Sequence, residues 1–312
     1  MKHFKFILLF NILLSFSANA LLEVNILKSK EAAFPIVIAP FEVIGDSKEN
    51  TDIAKIIRDN LNRSGQFSAL STDALVTNQI DFNFWKEHKK DAVVFGKIEQ
   101  VSPKVYNIYI YIYDVFSEKS LYQKKITVSN SGFRRIAHFL SDKIYYVLLG
   151  QKGSFNTRLS YVTVTDNKSG GRTYRLQISD SDGYNPQTVV RSSNPILSPA
   201  WSKDQKKLAY VSFKNNRSEV FVMTPFMKTI PIKLPKFDGI ASSPSWHPNG
   251  ESIALTISKK GNKDIYSYNF KSKELERLTT NNSIDTEASF SPDGKRIAFT
   301  SNRTGQVQVY IK

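Results

Sequence analysis

The stretch Ser289-Phe290-Ser291-Pro292-Asp293-Gly294-Lys295-Arg296-Ile297-Ala298-Phe299 decides how the chain is read, because it is the third statement of one phrase. Ser245-Trp246-His247-Pro248-Asn249-Gly250-Glu251-Ser252-Ile253-Ala254-Leu255 and Ala200-Trp201-Ser202-Lys203-Asp204-Gln205-Lys206-Lys207-Leu208-Ala209-Tyr210 keep its order of aromatic, turn, basic or polar residue and apolar run. Trp201, Trp246 and Phe290 stand 45 and 44 positions apart. Several short strands per unit at that period are what a propeller blade needs. The aromatic ends an inner strand, Pro-Asp-Gly or Pro-Asn-Gly makes a tight turn with a left-handed residue, and Ile-Ala-Phe opens the next strand. A third strand follows each polar tip: Glu219 to Val222, Asp264 to Tyr268 and Gln306 to Tyr310. A β-sandwich does not repeat whole four-element phrases at constant spacing.

Working outward, Arg158-Leu159-Ser160-Tyr161-Val162 matches the Leu-Ala-Tyr-Val run at 208 to 211, so four units start near 155, 198, 243 and 287. Upstream, Phe34 to Pro40 and Asp91 to Ile98 read as buried strands, and Lys104 to Val128 as two more. Ile53, Ile56, Ile57 and Leu61 fall at helical spacing behind a Thr51 or Asp52 cap. Ile136, Phe139, Leu140, Ile144, Val147 and Leu148 form a second amphipathic face closed by Gly150, and a short helix is expected near Phe82 to Lys89. The fold class is therefore an α/β N-terminal domain, residues 34 to 150, followed by an all-β propeller, residues 155 to 312, of three to four blades.

Residues 1 to 20 read as a signal peptide: Lys2 and Lys5 lead, Phe6 to Phe16 is apolar but too short to span a bilayer, and Ala18-Asn19-Ala20 suits cleavage. In residues 21 to 33, a flexible segment, Leu22, Val24 and Ile26 alternate with Glu23 and Asn25, a pattern able to lie along a sheet edge. No cysteine is present, which rules out disulfides and thiolate metal sites. The net charge of +15 is spread singly among Asn, Ser and Glu rather than gathered, so a solvated basic surface is expected and no nucleic-acid partner. Tyr109, Tyr111 and Tyr113 share one strand face, which suits a sheet cover better than base stacking.

No Gly-x-Ser-x-Gly nucleophile phrase occurs. His88 and His138 fall on predicted helices and His247 in a turn, and no His and carboxylates sit at metal-ligand spacing. Asp293 before Gly294 is explained by turn geometry without calcium, and Asn62-Arg63-Ser64 by an Asn-rich composition without glycosylation. No catalysis, metal or cofactor is expected.

Ser179-Asp180-Ser181-Asp182-Gly183-Tyr184-Asn185 followed by Ser198-Pro199-Ala200-Trp201-Ser202 adds a specific signature. With Pro35-Ile36 and Pro40-Phe41 in the first strand, and Asp91-Ala92-Val93-Val94-Phe95-Gly96, the whole chain resembles the TolB family, the periplasmic component of the Tol-Pal envelope system. The resemblance implies an exported, periplasmic, non-enzymatic scaffold with a six-bladed propeller. It implies that Leu22, Glu23, Val24, Asn25 and Ile26 engage TolA, and that Ser198, Phe237, Asp238, Thr286 and Glu287 at the channel mouth engage the lipoprotein Pal. Membrane contact then runs only through partners, with outer-membrane proteins or bacteriocins as further ones. The family often has Pro-Arg-His-Asn-Gly where this chain has Pro235-Lys236-Phe237-Asp238-Gly239, so an aromatic replaces a histidine. Six blades against four units, the last incomplete, lead to the expectation of C-terminal truncation. Two competing functions remain from the residues alone: the propeller of an exported peptidase, and a propeller that binds cell-wall glycan.

Overall fold

The computed structural model describes residues 33–45, 52–72, 76, 79–168, 170–214, 217–227 and 229–312. The expected signal peptide and Leu22, Glu23, Val24, Asn25 and Ile26 lie outside the described residues.

The α/β body runs β1(Phe34–Ile38), β2(Glu42–Ile44), α1(Ile53–Arg63), β3(Phe67–Leu70), α2(Phe82–Glu87), β4(Ala92–Ser102), β5(Val105–Asp114), β6(Ser120–Ser129) and α3(Phe133–Leu149). Its sheet has the order β3-β1-β4-β5-β6, with β2 also pairing β4. β1 is parallel to β3 and β4, a pairing that needs crossovers, and α1 lies within the first of them. Strand alternation sorts the side chains. Ile36, Ile38, Val94, Ile108, Ile110 and Ile112 face α1 and α3, while Val37, Val93, Phe95 and Val115 face Trp85 of α2. Asp52 accepts the Lys55 N–H at 2.9 Å and so caps α1, and α3 ends on Gly150 at φ 68°. The tyrosine stripe covers the sheet: Tyr111 and Tyr113 stack on Phe95, and the Tyr109 hydroxyl donates to Glu99 at 2.8 Å. β2 and β3 went unread in the sequence because three- and four-residue strands carry too little alternation. The outer edge of β3 is occupied by the Asn62 amide, which donates to Ala69 O at 3.0 Å and accepts from Ala69 N at 2.7 Å.

The repeat region forms four antiparallel sheets. They are β7(Arg158–Asp166), β8(Arg172–Asp180) and β9(Gln187–Ser192); β10(Ile196–Trp201), β11(Leu208–Ser212), β12(Glu219–Met223) and β13(Ile232–Lys233); β14(Ile240–Trp246), β15(Ser252–Lys259), β16(Asn262–Asn269) and β17(Leu275–Arg277); and β18(Asp285–Phe290), β19(Ile297–Ser301) and β20(Gln308–Ile311). Each apolar cluster here lies between consecutive sheets. Leu176 and Ile178 meet Leu208 and Tyr210; Ala209 and Val211 meet Ile253 and Leu255; Ala254 and Ile265 meet Ile297 and Phe299. The inner strands β10, β14 and β18 are spatial neighbours, which is propeller packing.

The recurring turn has one mechanism. Gln205, Gly250 and Gly294 take φ of 58°, 72° and 73°, and each donates its N–H back to Ser202, His247 or Ser291. The side chains of Asp204, Asn249 and Asp293 accept from the N–H two residues on. Hydrogen bonds from Ser202 and Ser291 hold the Asp204 and Asp293 carboxyls below the usual range. Those oxygens are spoken for by the turn itself.

Candidate functional site

Each inner strand breaks register at one place: between Leu197 and Ala200, between Ser242 and Ser245, and between Thr286 and Ser289. Inside each break sits one left-handed residue, Ser198 at φ 49°, Ser243 at 48° and Glu287 at 58°, always three positions before the aromatic. A non-glycine residue held there costs roughly 1 kcal/mol or more, so three copies mean that the packed sheets enforce the bulge. Ser198 and Glu287 are exposed and Thr286 is half-buried. Glu287 is also tied to the preceding sheet, its N–H donating to Thr256 Oγ1 at 3.1 Å.

Phe237 and Asp238 enter β14 from a groove of about 540 Å³ that Phe213, Arg217 and Leu234 also line. Phe237 is half-buried, with its ring edge-to-face on Tyr268 at 5.7 Å. Asp238 pairs with Lys259 at 2.7 Å, and this lysine's hydrogen bond and charge hold its carboxyl below the ordinary range. The adjoining Gly239 has φ 145°, and a Cβ there would meet Ser258 O at 2.5 Å. Ser198, Thr286 and Glu287 thus occupy the same inner-strand segment of two sheets, with Phe237 and Asp238 leading into the sheet between them. The five do not form a single contact cluster.

A second constellation escaped the sequence reading and joins the two halves of the chain. Arg134, His138 and Asp142 recur along one face of α3, and the Ser179-Asn185 turn at the end of β8 meets them. Arg134 pairs with Asp182 and, at 3.5 Å, with Asp180, and its guanidinium lies 3.8 Å over the Tyr184 ring. Asp142 accepts the Phe155 and Asn156 N–H groups at 2.7 and 3.1 Å, and Ser181 Oγ donates to Phe155 O at 2.5 Å. His138 is buried behind this pair. Arg63 donates to Asn60 Oδ1 at 2.9 Å, which turns the Asn60 amide so that it donates to His138 Nδ1 and Ser141 Oγ, both at 2.9 Å. The ring proton therefore sits on Nε2, facing Asp182 at 3.7 Å and Asp180 at 4.0 Å. Burial above all lowers the His138 pKa. Burial alone would raise the Asp182 carboxyl, but the Tyr184 N–H, Arg134 and His138 outweigh it and hold it below the usual range.

His138, Asp180 and Asp182 are the one His-carboxylate group among the described residues close enough to surround an ion. A metal on Nε2 would need the proton on Nδ1, where the Asn60 amide nitrogen stands, and Arg134 already holds the carboxylates. The cluster is an interdomain latch. Its sequence signal was the Arg-x-x-x-His spacing on a helix plus an acidic Asp-x-Asp turn. Among the other histidines, His247 packs on Phe290 and approaches Gly294 O at 3.2 Å, and His88 Nδ1 approaches Phe84 O at 2.7 Å. Among the described residues no helix is long and apolar enough to cross a membrane.

Comparison with known proteins agrees with this architecture. Residues 22–121 match the TolB amino-terminal domain and residues 145–312 the TolB beta propeller domain. The Tol-Pal system protein TolB of Ruthia magnifica is 59% identical over 84% of this chain and 62% of its own length; that of Vesicomyosocius okutanii is 57% identical over 81% and 60%. The chain thus spans about three fifths of those curated relatives. The crystal structure of TolB from Acinetobacter baumannii aligns over 89% of this chain and 68% of its own, with TM-score 0.79 and 35% identity. By both halves of its sequence and by its fold, the chain belongs to the TolB family.

Proposed function

We propose that the chain is a non-catalytic, periplasmic binding component of the Tol-Pal system, whose inner rim engages Pal and whose residues 21 to 33 engage TolA. In that role it would couple the outer membrane to its constriction at cell division and to envelope integrity. The carrying observation is the bulge repeated at the same place in three inner strands, at Ser198, Ser243 and Glu287, together with the half-buried ring of Phe237 in the loop that enters β14. Backbone-fixed polar groups around an aromatic anchor are the makings of a protein-docking surface. The described histidines are all engaged in packing or hydrogen bonds, which favours a scaffold over a peptidase accessory.

Titration of the purified chain with soluble Pal tests the reading, with peptidoglycan fragments as the rival ligand. Saturable Pal binding that weakens about tenfold in Phe237→Ala supports it, a loss of about 1.4 kcal/mol. Retention by glycan without Pal binding overturns it. In a second arm, deleting residues 21 to 33 abolishes TolA binding and leaves the unfolding midpoint in place.

A further inference from the structure

The net charge of +15 is scattered along the sequence, but the repeat gathers part of it in space. In an antiparallel meander the first and third hairpins turn at the same end of the sheet. Residues 202 to 207, 247 to 251 and 291 to 296 close the first hairpins of the second, third and fourth sheets. Residues 224 to 231 and 270 to 274 close the third hairpins of the second and third. These turns adjoin one another. Lys203 Nζ donates to Pro292 O at 3.1 Å, His247 Nε2 lies 3.2 Å from Gly294 O, and Lys207 Nζ lies 5.8 Å from the Phe270 ring.

Lys203, Lys206 and Lys207 are exposed in the first of these turns, and Lys295 and Arg296 in the last. Lys271 and Lys273 are exposed on the tip of the third sheet. Among the described residues none of them forms an ion pair with a carboxylate, whereas at the other end of the sheets Lys259, Arg277 and Arg303 are held by Asp238, Asp264 and Asp285. Asp204 and Asp293 turn back onto Ser202, Ser291 and the N–H groups of Lys206 and Lys295. With Glu251 and Glu274 as the remaining acids, cations outnumber carboxylates across these turns.

Beside this charge the tip of the second sheet is apolar. Met227 and Ile230 are 62% and 90% exposed, and Ile232, where β13 begins, is 69% exposed. Arg158 lies over the neighbouring Phe226 ring at 4.8 Å and leaves these three bare. The matching tip of the third sheet reads Lys271-Ser272-Lys273-Glu274, so the blade itself does not require apolar residues there. Projecting apolar side chains beside unpaired lysines match the boundary between anionic headgroups and acyl chains.

We propose that the turn end of the repeat sheets docks on an anionic lipid bilayer, with the lysines on headgroup phosphates and Met227 and Ile230 entering the apolar boundary. Such contact is direct, not through a protein partner. The α/β body approaches this end at Asp180, Asp182 and the Asp204-Gln205 turn, and the tips of the second and third sheets stay exposed. Ser198 and Glu287 lie toward the opposite ends of their strands, so lipid binding is independent of what occupies the rim.

Vesicle flotation tests the proposal on the purified chain without residues 1 to 20, whose apolar run would bind lipid by itself. Vesicles of phosphatidylcholine mixed with phosphatidylglycerol capture the chain, vesicles of phosphatidylcholine alone do not, and about 0.5 M salt releases it. Lys271→Ser with Lys273→Ser weakens capture about tenfold, and Met227→Ser with Ile230→Ser does the same. Fluorescence of Ile230→Trp moves to shorter wavelength on the anionic vesicles and stays in place on the neutral ones. These positions are exposed, and unchanged circular dichroism reports an intact fold in each variant. Equal capture by both vesicle types, or variants that bind as the natural chain does, overturns the proposal. Retention on polyglutamate beads without capture by vesicles also overturns it and assigns the lysines to an acidic polypeptide.

Discussion

The α/β body and the repeat sheets bury their apolar residues in different ways. In the body the main core joins one face of its own sheet to its own helices: Ile36, Ile57, Leu61, Ile110 and Leu140 are all fully buried in a single cluster, and Trp85 covers a smaller one on the other face. In the repeats no sheet has a core of its own, because each cluster is shared between two neighbours. The body is thus a closed unit, whereas the sheets follow nearest-neighbour energetics in which each stands by the next. Between them stands the latch, a charged joint flanked by Phe155, which is buried against Tyr145 at the edge of the body's core.

The strongest way to break this contrast is Leu61→Ala. It should destabilise the α/β body by about 3 kcal/mol, in the range for a fully buried leucine. In urea unfolding, fluorescence of Trp85 in the body should shift to lower midpoint while Trp201 and Trp246 report little change. A common shift of all three would show that the two regions unfold as one.

Arg134→Ala tests the joint. It strips Asp180 and Asp182 of their cation and Tyr184 of its cover, and should cost about 1 to 2 kcal/mol. Both groups are partly exposed, which keeps the loss below that of a fully buried pair. The expected readout is faster amide exchange in the Ser179-Asn185 turn with the body's core protection retained. Protection that stays unchanged in the turn would remove the latch from the account.

The smallest effect is a pH dependence. His138 has a folded pKa below its ordinary 6.5, chiefly through burial. The unfolded chain therefore takes up this proton first, and stability falls as pH drops below about 6.5 toward the folded value. The unfolding midpoint should decline between pH 7.5 and 5.5 in the natural chain and be flatter in His138→Gln. Parallel profiles for the two would rule out His138 as the group responsible.

Much of the fold was legible because turns write themselves into sequence. The Pro-Asn-Gly and Pro-Asp-Gly phrases call for a left-handed residue at Gly250 and Gly294, and both turns close that way, with Gln205 taking the same angle in the first copy. The outer strands β13 and β17 were not legible, since two or three exposed residues at a sheet margin carry no pattern. The rim was half legible: its loops could be placed, but Ser198 and Ser243 each precede a proline and read as extended, so their positive φ is set by the ladder. The latch was hidden by distance, with Arg134 and Asp182 being 48 residues apart. Only the helical spacing of Arg134 and His138 hinted that one face of α3 was polar by design.

The three inner-strand bulges carry a last consequence. Serine, serine and glutamate adopt nearly the same backbone angle at matching places, so the scaffold dictates where a side chain stands and leaves its chemistry open. In the proposed docking role, substitution at these positions would change which molecule is preferred while the chain's path stays still. Under that proposal, specificity could drift faster than the architecture that bears it.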